Sequence, residues 1–211
     1  MRGISTNQNV LNYAQALQQN GIDFVFRYYS NVNAAKCLKR AEGEALGDLG
    51  IQVAVVYEDG PTSLAYFSST RGHRDAVNAY FQGVQLHQPP GSAIYFAIDY
   101  DAKLADISGA ILDYFRGVER GMSDAGNGSS LYSIGVYGSG AACGFIKAHC
   151  PAVTLTWLAE STGWKGSRDY QGWDVKQSIA SAPLAGLQPS QYEDCESNSE
   201  DFGAFLLTSL T

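Results

Sequence analysis

Hydrophobic and polar positions recur along the chain with two different periods. Residues 93–98 read Ala-Ile-Tyr-Phe-Ala-Ile, an apolar run of strand length, and Asp99 and Asp101 follow it. Residues 104–121 instead repeat their apolar positions every three or four residues, as an amphipathic helix does. Because segments of these two kinds alternate, the pattern predicts βα units with parallel strands.

Eight segments have the pattern of strands, and helical segments follow most of the first five. We expect the strands at residues 2–5, 24–30, 52–58, 93–101, 133–138, 155–159, 173–177 and 191–195. We expect the helices at residues 7–20, 34–49, 71–86, 104–121, 140–149 and 201–207. This order predicts an α/β fold, a compact (β/α)8 TIM-like barrel with reduced final βα units, in one domain over residues 1–211. An open doubly wound sheet is the alternative, although no glycine-rich phosphate loop follows the first strand.

Composition narrows the classes of partner. Hydrophobic residues make up 45% of the chain and the formal net charge is −7, so we expect a globular monomer that does not bind nucleic acid. The apolar runs are too short for a membrane span. The four cysteines and three histidines lack metal-ligand spacing, so we expect free buried thiols, no metal and no cofactor.

The first residues carry no visible signal peptide, because Met1-Arg2-Gly3 leads directly into the first strand pattern. Three interpretations remain open. The chain acts inside the cell, it leaves by a route without a cleaved signal, or the sequence is trimmed. If its target is the cell wall, the protein acts outside the cytoplasm.

Asp99 and Asp101 are the first candidates for chemistry. They are two positions apart at the end of a predicted strand, so we expect their side chains to point the same way. Ile94, Phe96 and Ile98 would occupy the opposite face and pack under helices. Active sites of α/β barrels lie at the carboxyl ends of the strands, so both acids are predicted to be catalytic.

Acidic and aromatic residues are common at the other predicted strand ends, and cations are rare there. The predicted ends carry Ser5, Tyr28, Tyr29, Tyr57, Glu58, Tyr137, Trp157, Glu160, Gln177 and Asp194. Aromatic rings with carboxylates and amides suit a carbohydrate, whereas a phosphate group would require Arg, Lys or backbone amides. We expect substrate contacts from Ser5, Arg27, Tyr29, Tyr57, Tyr137, Trp157, Gln177 and Asp194.

Glycoside hydrolysis requires two carboxyl groups in different protonation states. Glu58 ends the strand next to Asp99, with Ala54 and Val56 on its face, and is the third catalytic candidate. Each residue also has a structural interpretation: Asp99 as a turn cap, Asp101 as a helix cap and Glu58 as a loop acid. Arg27 is alternatively a structural partner of an acid in the barrel.

Several segments resemble a bacterial glycoside-hydrolase-like domain of unknown function, which is itself similar to family 25 lysozymes. The segments are Asp23–Tyr29, Ile94–Asp101, Tyr114–Val118, Ile134–Gly140 and Leu155–Ala159. The resemblance spans nearly the whole chain and is most specific in Tyr-Phe-Ala-Ile-Asp-Tyr-Asp and Gly-Val-Tyr-Gly-Ser-Gly. It implies a barrel that cuts peptidoglycan between its sugars.

The resemblance also implies roles for single residues. Those lysozymes end their fourth strand in Asp-x-Glu, with the Glu as proton donor; here Asp99 matches the Asp, and Asp101 stands in the place of the Glu. Their first strand ends in Asp, where this chain has Ser5. Asp194 matches a further acid of the last strand. Since Asp101 is one methylene shorter than Glu, Glu58 is the candidate that compensates as the acid.

Three functions follow from these observations. The first is a glycoside hydrolase of peptidoglycan that uses a carboxylate acid and base. The second is an inactive barrel that binds cell-wall glycan, which Ser5 and the shorter Asp101 favour. The third is a phosphodiesterase with a metal held by Glu58 and Asp99, which the lack of a nearby histidine disfavours.

Overall fold

The computed structural model describes residues 1–159 and 163–208, and their core is a closed eight-stranded barrel. The strands follow one another around the barrel in sequence order, and the eighth closes it against the first. They are β1 Arg2–Ser5, β2 Phe24–Tyr29, β3 Gln52–Tyr57, β4 Ala93–Ala97, β5 Ser133–Gly138, β6 Val153–Ala159, β7 Val175–Ile179 and β8 Glu193–Ser197. The predicted TIM-like barrel is therefore confirmed, and the open sheet is not the fold.

Helices follow each of the first five strands. They are α1 Ala14–Gln19, α2 Arg40–Gly47, α3 Ser69–Leu86, α4 Leu104–Asp106, α5 Leu112–Ala125 and α6 Gly140–His149. A π-helical turn, Ile107–Ile111, joins α4 to α5, and single 3₁₀ turns lie at Leu11–Tyr13, Leu64–Tyr66 and Pro189–Gln191. Among the described residues no α-helix follows β6 or β7, so the predicted reduction of the last units is present.

Side chains of the strands divide between two apolar clusters, as the alternation predicts. Phe26, Val56, Tyr95 and Ala97 belong to the cluster inside the barrel. Val25, Val53, Val55, Ile94, Phe96 and Ile98 belong to the cluster between the strands and the helices. Small residues on the inner face leave room for the rings of β2, β4 and β6.

The last strand runs against the predicted direction. Every neighbouring pair from β1 to β7 is parallel, whereas β8 is antiparallel to both β7 and β1. Its first residue, Glu193, pairs with Ser5 at the carboxyl end of β1. The start of β8 therefore lies at the end of the barrel where the other strands finish, which we call the mouth.

The predicted C-terminal helix at residues 201–207 is wrong. This segment pairs with the beginnings of two strands: Phe205 and Val53 exchange two backbone hydrogen bonds, and the amide of Ala93 donates to the carbonyl of Gly203. Gly203 adopts a φ of 79°, which a helix does not allow. The Phe202 side chain enters the barrel and packs on Phe24, with ring centroids 4.7 Å apart. The tail thus closes the end opposite the mouth.

The expectation of free buried thiols is also met. Cys37, Cys143, Cys150 and Cys195 are buried and free. Of the helices in the described part of the chain, none has the length and apolarity needed to cross a bilayer.

Candidate active site

A small cavity opens at the mouth of the barrel. It has a volume of about 150 Å³ and is lined by Tyr28, Val56, Glu58, Asp99, Tyr137, Trp157, Gln177 and Glu193. We call this hollow the mouth cavity. Its eight lining residues lie in, or within two residues after, the seven strands β2 to β8. The barrel thus brings three carboxyl groups and three aromatic rings to one hollow.

Asp99 has the most perturbed carboxyl group of the cavity. Its pKa is raised to about 6, mainly by burial and further by the negative charges of Glu58 and Glu193, while Lys36 opposes the shift. Burial also raises the pKa of Glu193, although a hydrogen bond from Ser5 opposes the shift. Carboxyl groups that repel one another in a partly buried site acquire different proton affinities, which acid and base catalysis requires.

Lys36 supplies a positive charge next to these acids. Its ammonium nitrogen lies 2.7 Å from Oε1 of Glu58 and 4.7 Å from the centre of the Tyr28 ring. Lys36 lies in the loop between β2 and α2. Asp59 holds the start of that loop, accepting hydrogen bonds from the Ser30 hydroxyl at 2.6 Å and the Asn31 amide at 2.9 Å.

A chain of hydrogen bonds crosses the other side of the cavity. The Tyr137 hydroxyl donates to Oε1 of Gln177 at 2.7 Å, and the Gln177 amide donates to the Ser5 hydroxyl at 2.9 Å. Ser5 in turn donates to Oε2 of Glu193 at 2.9 Å. Burial raises the pKa of Tyr137, so its hydroxyl keeps its proton. These contacts fix the positions of Gln177 and Glu193 before a ligand enters.

Five of the eleven predicted site residues line the cavity: Glu58, Asp99, Tyr137, Trp157 and Gln177. Ser5 is not one of the lining residues, but it forms hydrogen bonds with two of them, Gln177 and Glu193. Trp157 stacks on Phe26 with ring centroids 3.9 Å apart, so it serves both as core and as wall. The remaining five lie elsewhere.

Asp101 does not share the cavity with Asp99. Strand β4 ends at Ala97, so the regular alternation of side chains does not extend to Asp101. Instead, Asp101 holds the loop after β6: the backbone amide of Lys165 donates to Oδ1 at 2.8 Å, and the Lys165 ammonium lies 2.5 Å from Oδ2. The hydrogen bonds from Lys165 lower the pKa of Asp101, so it stays charged. The expectation of two acids side by side is wrong.

Arg27, Tyr29 and Tyr57 face the helices rather than the barrel interior. They share strand parity with outward Val25 and Val55, and each is buried against a partner. Arg27 forms an ion pair with Glu42 of α2 at 2.7 Å, with both side chains fully buried. The hydroxyls of Tyr29 and Tyr57 donate to Gln88 and Asp59. Their expected substrate contacts are therefore wrong, and Arg27 has the structural role of the alternative interpretation.

Asp194 lies outside the mouth cavity because side chains alternate along β8, so that Asp194 points away from the interior that Glu193 faces. It lines a shallow surface hollow with Arg2, Lys176 and Glu196. Its neighbour Glu193 takes the place in the mouth cavity. Sequence reasoning missed Glu193, although a signal was present: Glu193 has the same parity as the apolar Cys195, which faces the interior.

Lys36 was also missed, because the predicted helix at residues 34–49 included it, whereas α2 begins at Arg40 and leaves Lys36 in the preceding loop. Glu160, expected at the end of the sixth strand, lies outside the described residues. Within residues 1–159 and 163–208, no group of three or more His, Cys, Asp and Glu side chains could hold a metal ion.

The eight-stranded barrel with acids and aromatic rings at its mouth places the protein among glycoside-hydrolase-like barrels. The sequence model of the Rv2525c-like, glycoside hydrolase-like domain matches residues 15–198. The chain belongs to this family.

The chain is also similar in sequence to part of a longer curated protein. The chain is 33% identical over 167 residues to the uncharacterized protein YbfG of Bacillus subtilis, covering 74% of this chain and 22% of that protein. It thus spans about a fifth of the length of this curated relative.

Solved structures show the same fold. The Tat-secreted protein Rv2525c of Mycobacterium tuberculosis has a TM-score of 0.77 at 16% identity, with 96% of this chain and 98% of that chain covered. GHIP, a glycosyl hydrolase 25 of Streptococcus pneumoniae, has a TM-score of 0.58 at 14% identity, over 93% and 86%. The autolysin LytC of Streptococcus pneumoniae, in complex with a synthetic peptidoglycan ligand, has a TM-score of 0.56 at 12% identity, over 92% and 46%.

Proposed function

We propose that this domain hydrolyses glycosidic bonds in the peptidoglycan of bacterial cell walls, with Asp99 as the proton donor. The observation that carries the proposal is the mouth cavity, where Asp99 has a pKa of about 6 beside Glu58 and Glu193. A carboxyl group with that pKa is partly protonated near neutrality and can protonate a leaving oxygen. The family and the peptidoglycan ligand of LytC support a glycan substrate.

Glu58 takes the second role in this mechanism. Its ion pair with Lys36 requires the charged carboxylate, so Glu58 suits the anion that stabilises the cationic transition state or activates water. This exchanges the roles expected from the sequence, in which Glu58 was the candidate acid. Asp101 instead anchors the loop at Lys165, and Tyr137, Trp157 and Gln177 contact the sugar.

A protein with this function acts outside the cytoplasm as a monomer, as a secreted, effector or lysis protein. The structural similarity to Tat-secreted Rv2525c supports an extracytoplasmic site of action.

The direct test is the release of new reducing ends from purified peptidoglycan, detected by mass spectrometry. We expect release by the wild type, and about 10²–10⁴-fold slower release by Asp99→Asn, because an amide cannot donate the proton. Asp101→Asn is the matched control, since it makes the same change two positions away outside the cavity. Equal losses in both variants would contradict the assignment of Asp99. Release by Glu58→Gln at the wild-type rate would eliminate the role of Glu58.

Binding of cell-wall glycan without cleavage is the second candidate. Ser5 favours binding alone, because this serine stands where the similar lysozymes carry an acid and its hydroxyl donates a hydrogen bond to Glu193. Co-sedimentation of the protein with peptidoglycan in the absence of released ends would support binding alone.

A further inference from the structure

We propose that the sugar ring bound in the mouth cavity carries a free amino group, so that the domain selects N-deacetylated glycan over its acetylated counterpart. This inference rests on the proposed function only in taking a glycan as the ligand. It depends on the charge, the hydrogen-bonding groups and the size of the cavity.

The charge of the cavity is unbalanced. Glu58 is paired with Lys36, whereas Asp99 and Glu193 form no ion pair with any described residue. The Asp99 side chain also accepts no hydrogen bond from the described part of the chain. Glu193 receives its contacts from the neutral groups of Ser5 and Gln177, both on Oε2. A cationic ligand would compensate charge that the protein itself leaves uncompensated.

The wall also holds a polar group that needs a partner. Trp157 is 1% exposed, and its indole N–H has no hydrogen-bond acceptor in the described structure. A buried donor without a partner costs free energy, which a ligand oxygen can recover. Trp157 lines the cavity, and a small shift of the indole on ligand binding would bring its shielded N–H to a hydroxyl of the bound ring. The ligand should therefore carry both an ammonium group and hydroxyls.

The size of the cavity favours a small substituent. Its volume of about 150 Å³ is below the roughly 300–1,000 Å³ of pockets for drug-sized ligands. An acetyl group on the amine would remove the positive charge and add bulk. A muramyl ring would add the bulk of its lactyl group. An unsubstituted amino sugar satisfies all three conditions.

The test compares the binding of the glucosamine tetramer and the N-acetylglucosamine tetramer to the intact protein by calorimetry. We expect the glucosamine tetramer to bind at least about tenfold more tightly, since close charge pairs contribute that much or more to affinity. Glu193→Gln should remove most of the preference. Asp194→Asn should keep it, because it removes the same charge one residue away, outside the cavity.

Equal affinities, tighter binding of the acetylated tetramer or no binding of either would overturn the inference. An equal loss of preference in Asp194→Asn would do so as well, since it would assign the effect to the overall negative charge. The same protein is assayed in parallel for cleavage of purified peptidoglycan. Selective binding without cleavage would contradict the proposed hydrolysis and leave this inference in place, whereas cleavage without selectivity would do the reverse.

Discussion

Asp99 and Asp101 occupy different environments although one residue separates them in the sequence. Asp99 faces two other carboxyl groups in the mouth cavity and is raised in pKa, whereas Asp101 is exposed in part and bound to Lys165. The difference arises because β4 ends two residues before Asp99. The environment of each residue, rather than its place in the motif, thus assigns its role.

The first prediction concerns the pH dependence of hydrolysis. Asp99 must be protonated to act as the acid, so kcat/KM should decrease as pH rises through about 6. The measurement is a pH profile of the release of reducing ends by the wild type. A rate that stays level well above pH 6 would contradict the role of Asp99.

The second prediction concerns stability. The folded-state pKa of Asp99, about 6, exceeds its ordinary value of 3.8, so the folded state binds this proton more tightly. The stability that the folded state gains from this tighter proton binding is complete below pH 3.8 and is lost as pH rises through 6. At about pH 8, Asp99→Asn should therefore be more stable than the wild type by about 1 kcal/mol, since partial exposure reduces the effect. Urea unfolding at about pH 8 and about pH 4 measures the difference, which should be smaller at the lower pH.

At the scale of elements, charged side chains attach the helices and loops to the barrel. The Arg27–Glu42 pair joins β2 to α2, and Glu42 also accepts a hydrogen bond from the amide of Val10 at 2.8 Å. Arg27 further donates to the carbonyl of Thr6 at 2.5 Å. One buried ion pair therefore connects the segments after β1, in β2 and at the start of α2.

The third prediction follows from this pair. Glu42→Gln should destabilise the fold by about 3 kcal/mol, because it leaves the buried Arg27 charge without a counterion. Glu44→Gln on the same helix is the control: its partner Arg40 is partly exposed, so the loss should stay below about 1 kcal/mol. The free energy of unfolding in urea measures both. Similar losses in the two variants would contradict the structural importance of Arg27.

At the scale of the whole molecule, the barrel is closed at one end and open at the other. The C-terminal tail inserts Phe202 among the inner rings, and the Tyr95 hydroxyl donates to its carbonyl at 2.8 Å. At the other end the inner wall becomes polar, at Glu58, Asp99 and Glu193. The mouth cavity thus lies at the end of the barrel where the strands present their acids.

The fourth prediction tests the closed end. Phe202→Ala should destabilise the protein by about 3–5 kcal/mol, because it leaves a void between Phe24 and Phe26. Leu206→Ala in the same tail removes a side chain that is 42% exposed and should cost much less. Thermal unfolding of the two variants distinguishes them. A small loss in Phe202→Ala would mean that the tail is not part of the core.

Much of the architecture could be predicted from the sequence. Alternation identified the strands, and the inward positions of Ala54, Val56 and Ala97 followed from it. The direction of β8 could not be predicted, because alternation is the same in both directions along a strand. The tail at residues 201–207 has an apolar pattern that suits a helix, but its role depends on pairing with distant Val53 and Ala93.

The site was less predictable than the fold. Glu58 and Asp99 were found because strand ends converge in a barrel. Lys36 and Glu193 were missed, since the position of one depends on a loop and that of the other on strand direction. Asp101 was misplaced because no pattern shows where β4 stops.

The central claim is that Asp99, and not Asp101, is the acid of the mouth cavity. A ¹³C NMR titration of the aspartate carboxyl carbons in the wild-type protein tests it most directly and requires no substrate. Asp99 should titrate at about 6 and Asp101 below its ordinary value of 3.8. A midpoint for Asp99 at or below that of Asp101 would contradict the account.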